Sequence, residues 1–230
     1  MSQGQQVSDR PEDHLAPGGF VDSDAPAVRE FAERSAGTED DPVRRGAALF
    51  AAVRDGIWYD PFVISTDPED YRASTVATTP RNWCVPKAVL LTAAARALDI
   101  PARLGFADVR NHLNTARLRA MMNGNDLFVY HGYTELWLDG RWVKATPAFN
   151  RELCARFGVD PIEFDGRHDA LMHPYSGDGS EYMEYVTDHG PFADLPFDAI
   201  MATFRSTYGE AMFGGRSHAG SDEFTAPTSA

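Results

Sequence analysis

The sequence predicts a single folded domain that contains both α-helices and an antiparallel β-hairpin. The chain has 230 residues, 43% of them hydrophobic, which suits one sizeable core. Apolar residues recur at helical spacing between Val89 and Leu98, whereas residues 127–150 alternate as β-strands do. The domain is therefore assigned to residues 24–213. The polar ends, residues 1–23 and 214–230, are expected to be disordered.

Charge and hydrophobicity exclude several kinds of partner. The net charge of -13 argues against binding to a nucleic-acid backbone, and no run of 18 apolar residues predicts a membrane span. The first residues, MSQGQQVSDRPEDHLAPGG, lack the basic and apolar regions of a signal peptide. The two cysteines, Cys84 and Cys154, cannot form a disulfide framework. We therefore expect two free thiols in a cytoplasmic protein.

Further elements are predicted before and after the apolar helix and the β-hairpin. Residues 40–57 place apolar side chains at helical spacing after an acidic start, which predicts an amphipathic helix. Residues 58–80 contain two Asp-Pro pairs and no sustained period, so an ordered loop is expected. Residues 103–128 are predicted to form a strand and then a polar insertion, and residues 194–208 a final helix.

Cys84 stands at the start of the apolar helix. Pairs of apolar residues recur every four positions from Val89, which predicts a helix buried along one stripe. Pro86 is tolerated only in a first helical turn, so Cys84 is placed at the helix N-terminus. The free N–H groups there would lower the pKa of a thiol and could stabilise an oxyanion. The alternative is a buried structural thiol. Cys154 lacks such a setting and is interpreted as a core or surface thiol on a helix of its own.

A proton carrier for such a thiol is predicted on the hairpin. Asp139 and Gly140 predict a two-residue type I′ turn. The resulting register pairs Leu138 with Arg141, Glu135 with Lys144, Tyr133 with Thr146 and His131 with Ala148. Glu135 and Lys144 are expected to form a cross-strand ion pair.

His131 shares a face of the hairpin with Thr146, which lies one diagonal step away. An acid at position 146 would complete a Cys-His-Asp triad, whereas a threonine hydroxyl can orient an imidazole without stabilising its charged form. Asn150 is the alternative third member, because an amide can also orient a histidine. The simpler interpretation of His131 is a strand histidine satisfied inside the core.

Together these features resemble the transglutaminase-like superfamily. A cysteine opens a helix that ends in a Gly-Ile-Pro-Ala-Arg type segment, here residues 98–103, LDIPAR. A His-x-Trp-x-Glu strand follows at residues 131–135, HGYTE. A Gly-x-Trp-x-x-x-Asp-Pro strand comes next at residues 140–147, GRWVKATP. The resemblance covers about residues 40–150 and leaves residues 151–213 as a carboxy-terminal extension.

The resemblance implies a papain-like α+β fold, with the helix of Cys84 packed on an antiparallel sheet that carries His131. It also implies acyl transfer through a thioester, from an amide or thioester donor to water or an amine. No cofactor and no metal are expected. The sequence departs from the family pattern at Thr146, which replaces the triad aspartate, and at Tyr133, which replaces a tryptophan. Trp83 and Val85-Pro86 also replace the usual neighbours of the cysteine.

Three functions remain open at this stage. The leading hypothesis is a thiol hydrolase or acyltransferase, with Cys84 as nucleophile and His131 as proton carrier. Its oxyanion and pocket candidates are Asn82, Trp83 and Tyr133. The second is a binding module that has lost catalysis, supported by Thr146. The third is a metal site built from Cys84, His131 and a further histidine such as His112 or His173, although no short ligand spacing supports it.

Overall fold

The computed structural model describes residues 7–111, 115–172 and 183–213, which contain both helices and strands. The α-helices are α1 (Pro26–Ala36), α2 (Pro42–Gly56), α3 (Ala73–Val76), α4 (Cys84–Ala97), α5 (Ala116–Met121), α6 (Arg151–Phe157) and α7 (Phe197–Tyr208). Short 3₁₀ helices occupy Pro11–His14, Pro68–Tyr71 and Glu210–Phe213. The predicted helices at residues 40–57 and 194–208 are thus confirmed as α2 and α7.

Four strands form one antiparallel sheet, and two short strands pair separately. The strands are β1 (Trp58–Tyr59), β2 (Arg81–Asn82), β3 (Ala102–Asn111), β4 (Leu127–Leu138), β5 (Arg141–Ala145) and β6 (Met183–Phe192). The large sheet has the order β5-β4-β3-β6, and β1 pairs in parallel with β2. The short pair fixes the entry to α4, because β2 ends immediately before Trp83 and Cys84.

Helix α4 is the centre of the molecule. It packs against α1, α2 and α3 on one side and against β3 and β4 on the other. Residues 84–96 are all buried, so the expectation of a single buried stripe is wrong. The helix tolerates full burial because most of its side chains are apolar, and its one threonine is satisfied: the Thr92 Oγ1 donates to the Ala88 carbonyl and lies 3.1 Å from Thr134 Oγ1.

The β4–β5 hairpin has the predicted turn and, next to it, the predicted register, but the predicted pairs Tyr133–Thr146 and His131–Ala148 are not part of the observed ladder. Asp139 and Gly140 have φ values of 48° and 80°, as a type I′ turn requires. Leu138 pairs with Arg141 and Glu135 with Lys144, and the ladder ends at Thr134 and Ala145. The Nζ of Lys144 lies 3.9 Å from the Glu135 carboxylate, but Arg103 donates to that carboxylate at 2.6 Å and is its close partner.

The predicted disorder of residues 1–23 is wrong for the part that the structure describes, residues 7–23. Val21 and His14 are buried there, and the His14 ring packs on Trp142 at a centroid distance of 5.3 Å. The Asp194 carboxylate accepts hydrogen bonds from the backbone N–H groups of residues 19–21, which ties this segment to the region before α7. Residues 1–6 and the predicted disordered tail, residues 214–230, lie outside the described residues.

Strand β6 is the main element without a sequence signal. It lies in the carboxy-terminal extension, for which no strand was predicted, and it pairs with β3 from Leu104 to Asn111. The side chains of β6 are mostly exposed or half-buried, so the segment lacks the apolar alternation that marks a strand. Among the described residues, no helix is long and apolar enough to cross a membrane.

Candidate active site

Cys84 occupies the first residue of α4, with Trp83 as the N-cap and Pro86 in the first turn, as predicted. The side chain is 6% exposed. The backbone N–H groups of Gly132, Val85 and Cys84 itself act on the thiol and favour its charged form. Two of these groups belong to the helix N-terminus and one to β4, so the sulfur lies where helix and sheet meet.

Gly132 allows this close contact between α4 and β4. A Cβ atom at position 132 would stand 3.0 Å from the Cα of Val85 and 3.4 Å from the Cys84 carbonyl oxygen. These atoms are helix backbone and cannot rotate away as a side chain could. The absence of a side chain at Gly132 therefore brings the strand of His131 against the start of the cysteine helix.

Burial decides the ionisation of the thiol. It raises the pKa of Cys84 to about 11, although the three backbone N–H groups and Lys87 act in the opposite direction. The expectation of a lowered thiol pKa is therefore wrong for this closed arrangement: the helix N-terminus has the predicted effect, but desolvation of the thiolate is larger. Cys154 is also buried, and burial raises its pKa to about 11 as well.

A β-bulge in β4 precedes His131. Ala107 pairs with His131 and Val109 with Phe128, so Val129 and Tyr130 together stand opposite Asp108. Tyr130 has a φ of 53°, and its N–H donates to the Asp108 carboxylate at 3.0 Å. Bulges of this kind re-aim the next side chain, which here is the histidine.

Two further contacts hold the bulge. The His189 ring stacks on Tyr130 at 4.3 Å, and His189 Nε2 lies 2.7 Å from the Asp108 carboxylate. The Tyr208 hydroxyl, at the end of α7, accepts from the Val129 N–H and donates to the Leu127 carbonyl, both at 2.7 Å. The backbone groups that the bulge frees are thereby satisfied.

His131 is buried, and desolvation lowers its pKa to about 4. Its Nε2 atom and the Thr146 hydroxyl are both enclosed without a hydrogen-bond partner among the described residues. The β4–β5 ladder ends at Ala145, and the Thr146 N–H donates to the Ala170 carbonyl at 2.9 Å instead. The two polar groups that a triad would join are thus both buried, and no hydrogen bond joins them. The Thr146 hydroxyl lies beside Tyr185, and this polar contact acts against the burial that raises the pKa of Tyr185.

Cys84 and His131 line the same small cavity. Its other walls come from the 59–64 loop, from α5, from the start of β4 and from the α7 end of the chain. The cavity measures about 20 Å³, which is room for a water molecule and not for an acyl group. A second cavity of similar volume adjoins it and is also lined by His131. The structure therefore brings nucleophile and proton-carrier candidates together in a closed site.

The predicted pocket residues divide into two groups. Trp83 lines the cavity, and its ring packs 5.5 Å from Phe204. Asn82 is buried beside it, with its side-chain carbonyl accepting from the Trp83 N–H. Tyr133 is directed elsewhere: its hydroxyl donates to the Asp188 carboxylate, and its ring covers Gly105.

Asn150 immediately precedes α6, and its side chain contacts the carboxy-terminal end of α2. Its amide donates to the carbonyls of Arg54 and Ile57 at 2.6 and 2.9 Å, and its carbonyl accepts from the Tyr59 N–H. Both ends of the amide are therefore used on backbone groups rather than on His131. The same two carbonyls accept from Lys87, whose pKa burial lowers well below its usual value. This network fixes the first turns of α4 against the end of α2.

Within the described residues, no group of three or more His, Cys, Asp or Glu side chains is placed to hold a metal ion. His112 and His173, which the metal hypothesis would require, lie outside the described residues.

Several residues that shape the site were not foreseen from the sequence. A glycine inside a strand pattern signals a close backbone approach, so Gly132 could have been found. The bulge at Val129 and Tyr130 has no comparable signal, because it depends on Asp108 in a neighbouring strand. The contribution of Phe204 and Tyr208 to the cavity follows from the packing of α7, which the helix pattern does not reveal.

Comparison with protein families matches residues 29–147 to the family described as the transglutaminase-like superfamily. The match spans just over half of the chain and includes Cys84, His131 and Thr146. Comparison with curated proteins gives no significant match.

Two solved structures are similar at low identity. A chain from Cytophaga hutchinsonii, described as a "putative cysteine protease", is 19% identical with a TM-score of 0.47, over 62% of the present chain and 43% of the other. A chain from Parabacteroides distasonis, described as a "putative protease", is 15% identical with a TM-score of 0.38, over 59% and 25% respectively. The present chain thus covers less than half of either of these proteins.

Proposed function

Because the chain belongs to the transglutaminase-like superfamily, we propose that it is a thiol-dependent acyl-transfer enzyme. Its papain-like α+β fold has the cysteine helix packed on the antiparallel sheet. The observation that carries the proposal is the shared cavity: Cys84, at the N-terminus of α4, and His131, after the bulge of β4, line it together.

In the proposed reaction, His131 starts neutral and the Cys84 thiol starts protonated, as their pKa values of about 4 and about 11 imply. The sulfur attacks the donor carbonyl while the imidazole takes the thiol proton. A carbon–sulfur bond forms, and the carbon–nitrogen or carbon–sulfur bond of the donor breaks. The imidazolium then returns the proton to the leaving group.

The second half of the reaction reverses these roles. His131 removes a proton from the acceptor, the acceptor attacks the thioester carbonyl, and the thiolate leaves and is reprotonated. Water as acceptor gives amide or peptide hydrolysis, and an amine gives amide-bond formation. The N–H groups of Cys84, Val85 and Gly132 are directed at the thiol and are the candidates for stabilising the oxyanion.

Intact-protein mass spectrometry tests the proposal. Incubation with an activated donor such as thiophenyl hexanoate should add one hexanoyl group, and peptide mapping should place it on Cys84. Cys84→Ser should abolish the adduct, and His131→Asn should slow its formation by at least about 100-fold. The proposal fails if iodoacetamide alkylates Cys84 but no acyl donor modifies it.

A catalytically inactive binding module is the second candidate. It is favoured by Thr146 at the place of the triad aspartate and by the unpaired His131 Nε2 atom. A histidine without an acidic partner has no group to stabilise its charged form during proton transfer. The same mass experiment separates the two functions, because a binding module would leave Cys84 unacylated by every donor.

A further inference from the structure

The cavity at Cys84 has apolar walls. Apart from Cys84, His131 and two tyrosines, the described residues that line it carry hydrocarbon, thioether or indole side chains. None of them is an Asp, Glu, Lys or Arg. One of the two tyrosines, Tyr208, already uses its hydroxyl on the backbone of β4. A group that enters this cavity therefore meets aromatic and aliphatic surface, which includes Trp83, Leu118, Phe128 and Phe204.

The second cavity extends this surface past His131. The two cavities share Tyr59, Leu118, Phe128 and His131 as lining residues. The additional walls of the second cavity are Val109, Phe149, Met172 and Met183, with Asn111 as a polar side chain. Here too, no described lining residue carries a formal charge apart from a protonated His131.

An acyl group on Cys84 has to occupy this space. The thiol is 6% exposed, so an acyl carbon bonded to its sulfur begins inside the cavity. A carboxylate or ammonium close to that carbon would lose its hydration without gaining a partner of opposite charge, which is costly. An alkyl or aryl chain would instead bury its surface against similar walls.

Resting on the proposed function, we infer that the acyl donor carries an uncharged, apolar acyl group, aliphatic or aromatic. The cavity volume of about 20 Å³ means that such a group displaces part of the wall when it binds. The wall formed by Phe204, Tyr208 and Met212 belongs to the last described elements, α7 and the 3₁₀ helix Glu210–Phe213. When the acyl group is bound, these three residues contact the acyl chain; without it, they line the small cavity.

Thiol-labelling reagents test the chemistry of the cavity without requiring catalysis. Methanethiosulfonates with a hexyl, an anionic sulfonatoethyl or a cationic trimethylammonium-ethyl group are compared, each rate being divided by the rate of that reagent with free cysteine. We expect hexyl to label Cys84 at least about tenfold faster than either charged reagent. Peptide mapping separates Cys84 from Cys154. The cationic reagent controls for the overall negative charge of the protein; equal rates, or faster labelling by either charged reagent, would overturn the inference.

Acyl donors test the same inference on the reaction. Thiophenyl esters of acetate, butyrate, hexanoate and succinate share one leaving group, and the rate of Cys84 acylation is measured by mass. The rate should rise with chain length, by up to about fourfold for each buried methylene, and succinyl should be slower than butyryl. A flat series, or succinyl at the butyryl rate, overturns the inference. Selective labelling by the hexyl reagent without acylation by any ester would instead overturn the proposed function.

Two substitutions at Met212, in the cavity wall, form a matched pair that separates the effect of charge from the effect of shape. Met212 lines the cavity and is buried, and it belongs to the 3₁₀ helix Glu210–Phe213 rather than to α4. Met212→Glu should lower hexanoyl acylation at least about tenfold, and Met212→Gln, of the same shape without charge, should lower it less. Equal effects of the two would contradict an apolar, charge-excluding wall. If Met212→Glu does not fold, the ester series on the unmodified chain decides the question.

Discussion

At the scale of single residues, burial sets the starting state of the site. The position of Cys84 at a helix N-terminus was visible in the sequence because Pro86 marks a first turn. Its ionisation was not, because the pKa depends on walls contributed by distant segments. The same holds for His131, whose neighbours along the strand gave no sign of the desolvation that lowers its pKa. Residue types were therefore predictable, and their protonation states were not.

Thr146 offers a direct test of the incomplete triad. In Thr146→Asp, a carboxylate oxygen lies one bond further from Cβ than the threonine hydroxyl, and we expect it to pair with the buried Nε2 of His131, which has no hydrogen-bond partner among the described residues. The new charge should raise the pKa of His131 and stabilise the thiolate–imidazolium pair. The acid limb of the Cys84 alkylation profile should then move down by about one pH unit or more, measured with iodoacetamide from about pH 5 to about pH 10.

Thr146→Ala is the control for this substitution. It removes the hydroxyl without adding charge. If the alkylation profile shifts in Thr146→Asp but not in Thr146→Ala, the threonine has no role in what is then a Cys-His dyad. Coincident profiles for all three proteins would mean that position 146 does not contact His131.

At the scale of elements, local signals predicted well and pairing between distant segments did not. The β4–β5 hairpin followed from Asp139-Gly140 and from alternation, and the helix of Cys84 from its apolar spacing. Strand β6 is exposed on most of its side chains and is defined by pairing with β3, far away in sequence. The bulge before His131 likewise needs Asp108 from another strand. The sequence thus predicted which elements carry the site but not the contacts that aim its side chains.

The contact between α4 and β4 predicts the effect of Gly132→Ala. The added Cβ would press on the Val85 Cα and the Cys84 carbonyl oxygen, so strand and helix must separate by a few tenths of an ångström. We expect a loss of about 1–3 kcal/mol in the free energy of unfolding, measured in urea. Acylation of Cys84 should fall at least about tenfold, because its distance to His131 changes.

Gly56→Ala is the matched control for this element. Gly56 is the last residue of α2, and a Cβ there would meet no atom within 4 Å. This substitution should leave stability within about 1 kcal/mol of the original chain and acylation unchanged. Original stability and original acylation in Gly132→Ala would show that the two elements tolerate separation, and the role given to this glycine would be wrong.

At the scale of the whole molecule, the fold encloses its own functional groups. The segment before α1 packs on the sheet, and α7 with its following 3₁₀ helix closes the cavity over Cys84. His131 is consequently neutral and desolvated in the native state, whereas in the unfolded chain it is hydrated. A site closed in this way couples its protonation to the stability of the entire domain.

The pH dependence of unfolding measures this coupling. The pKa of His131 is about 4 in the folded protein and 6.5 at its ordinary value, so between these limits the unfolded chain binds more protons. The stability that depends on neutral His131 is therefore complete above about pH 6.5 and declines as the pH falls toward 4. The loss should reach about 3 kcal/mol at pH 4 from this group alone.

Buried carboxylates also lower the free energy of unfolding as the pH falls. The contribution of His131 is therefore measured as a difference between the original chain and a variant. Urea unfolding of the original chain and of His131→Asn is compared from about pH 7 to about pH 4. The difference in their free energies of unfolding should change by about 3 kcal/mol in favour of the variant as the pH falls. His131→Gln, which also removes the imidazole, controls for the particular side chain introduced by His131→Asn. Parallel curves for the original chain and His131→Asn would mean that His131 is hydrated in the native protein. The cavity over Cys84 would then be open in solution, and access to the thiol would not require movement of α7.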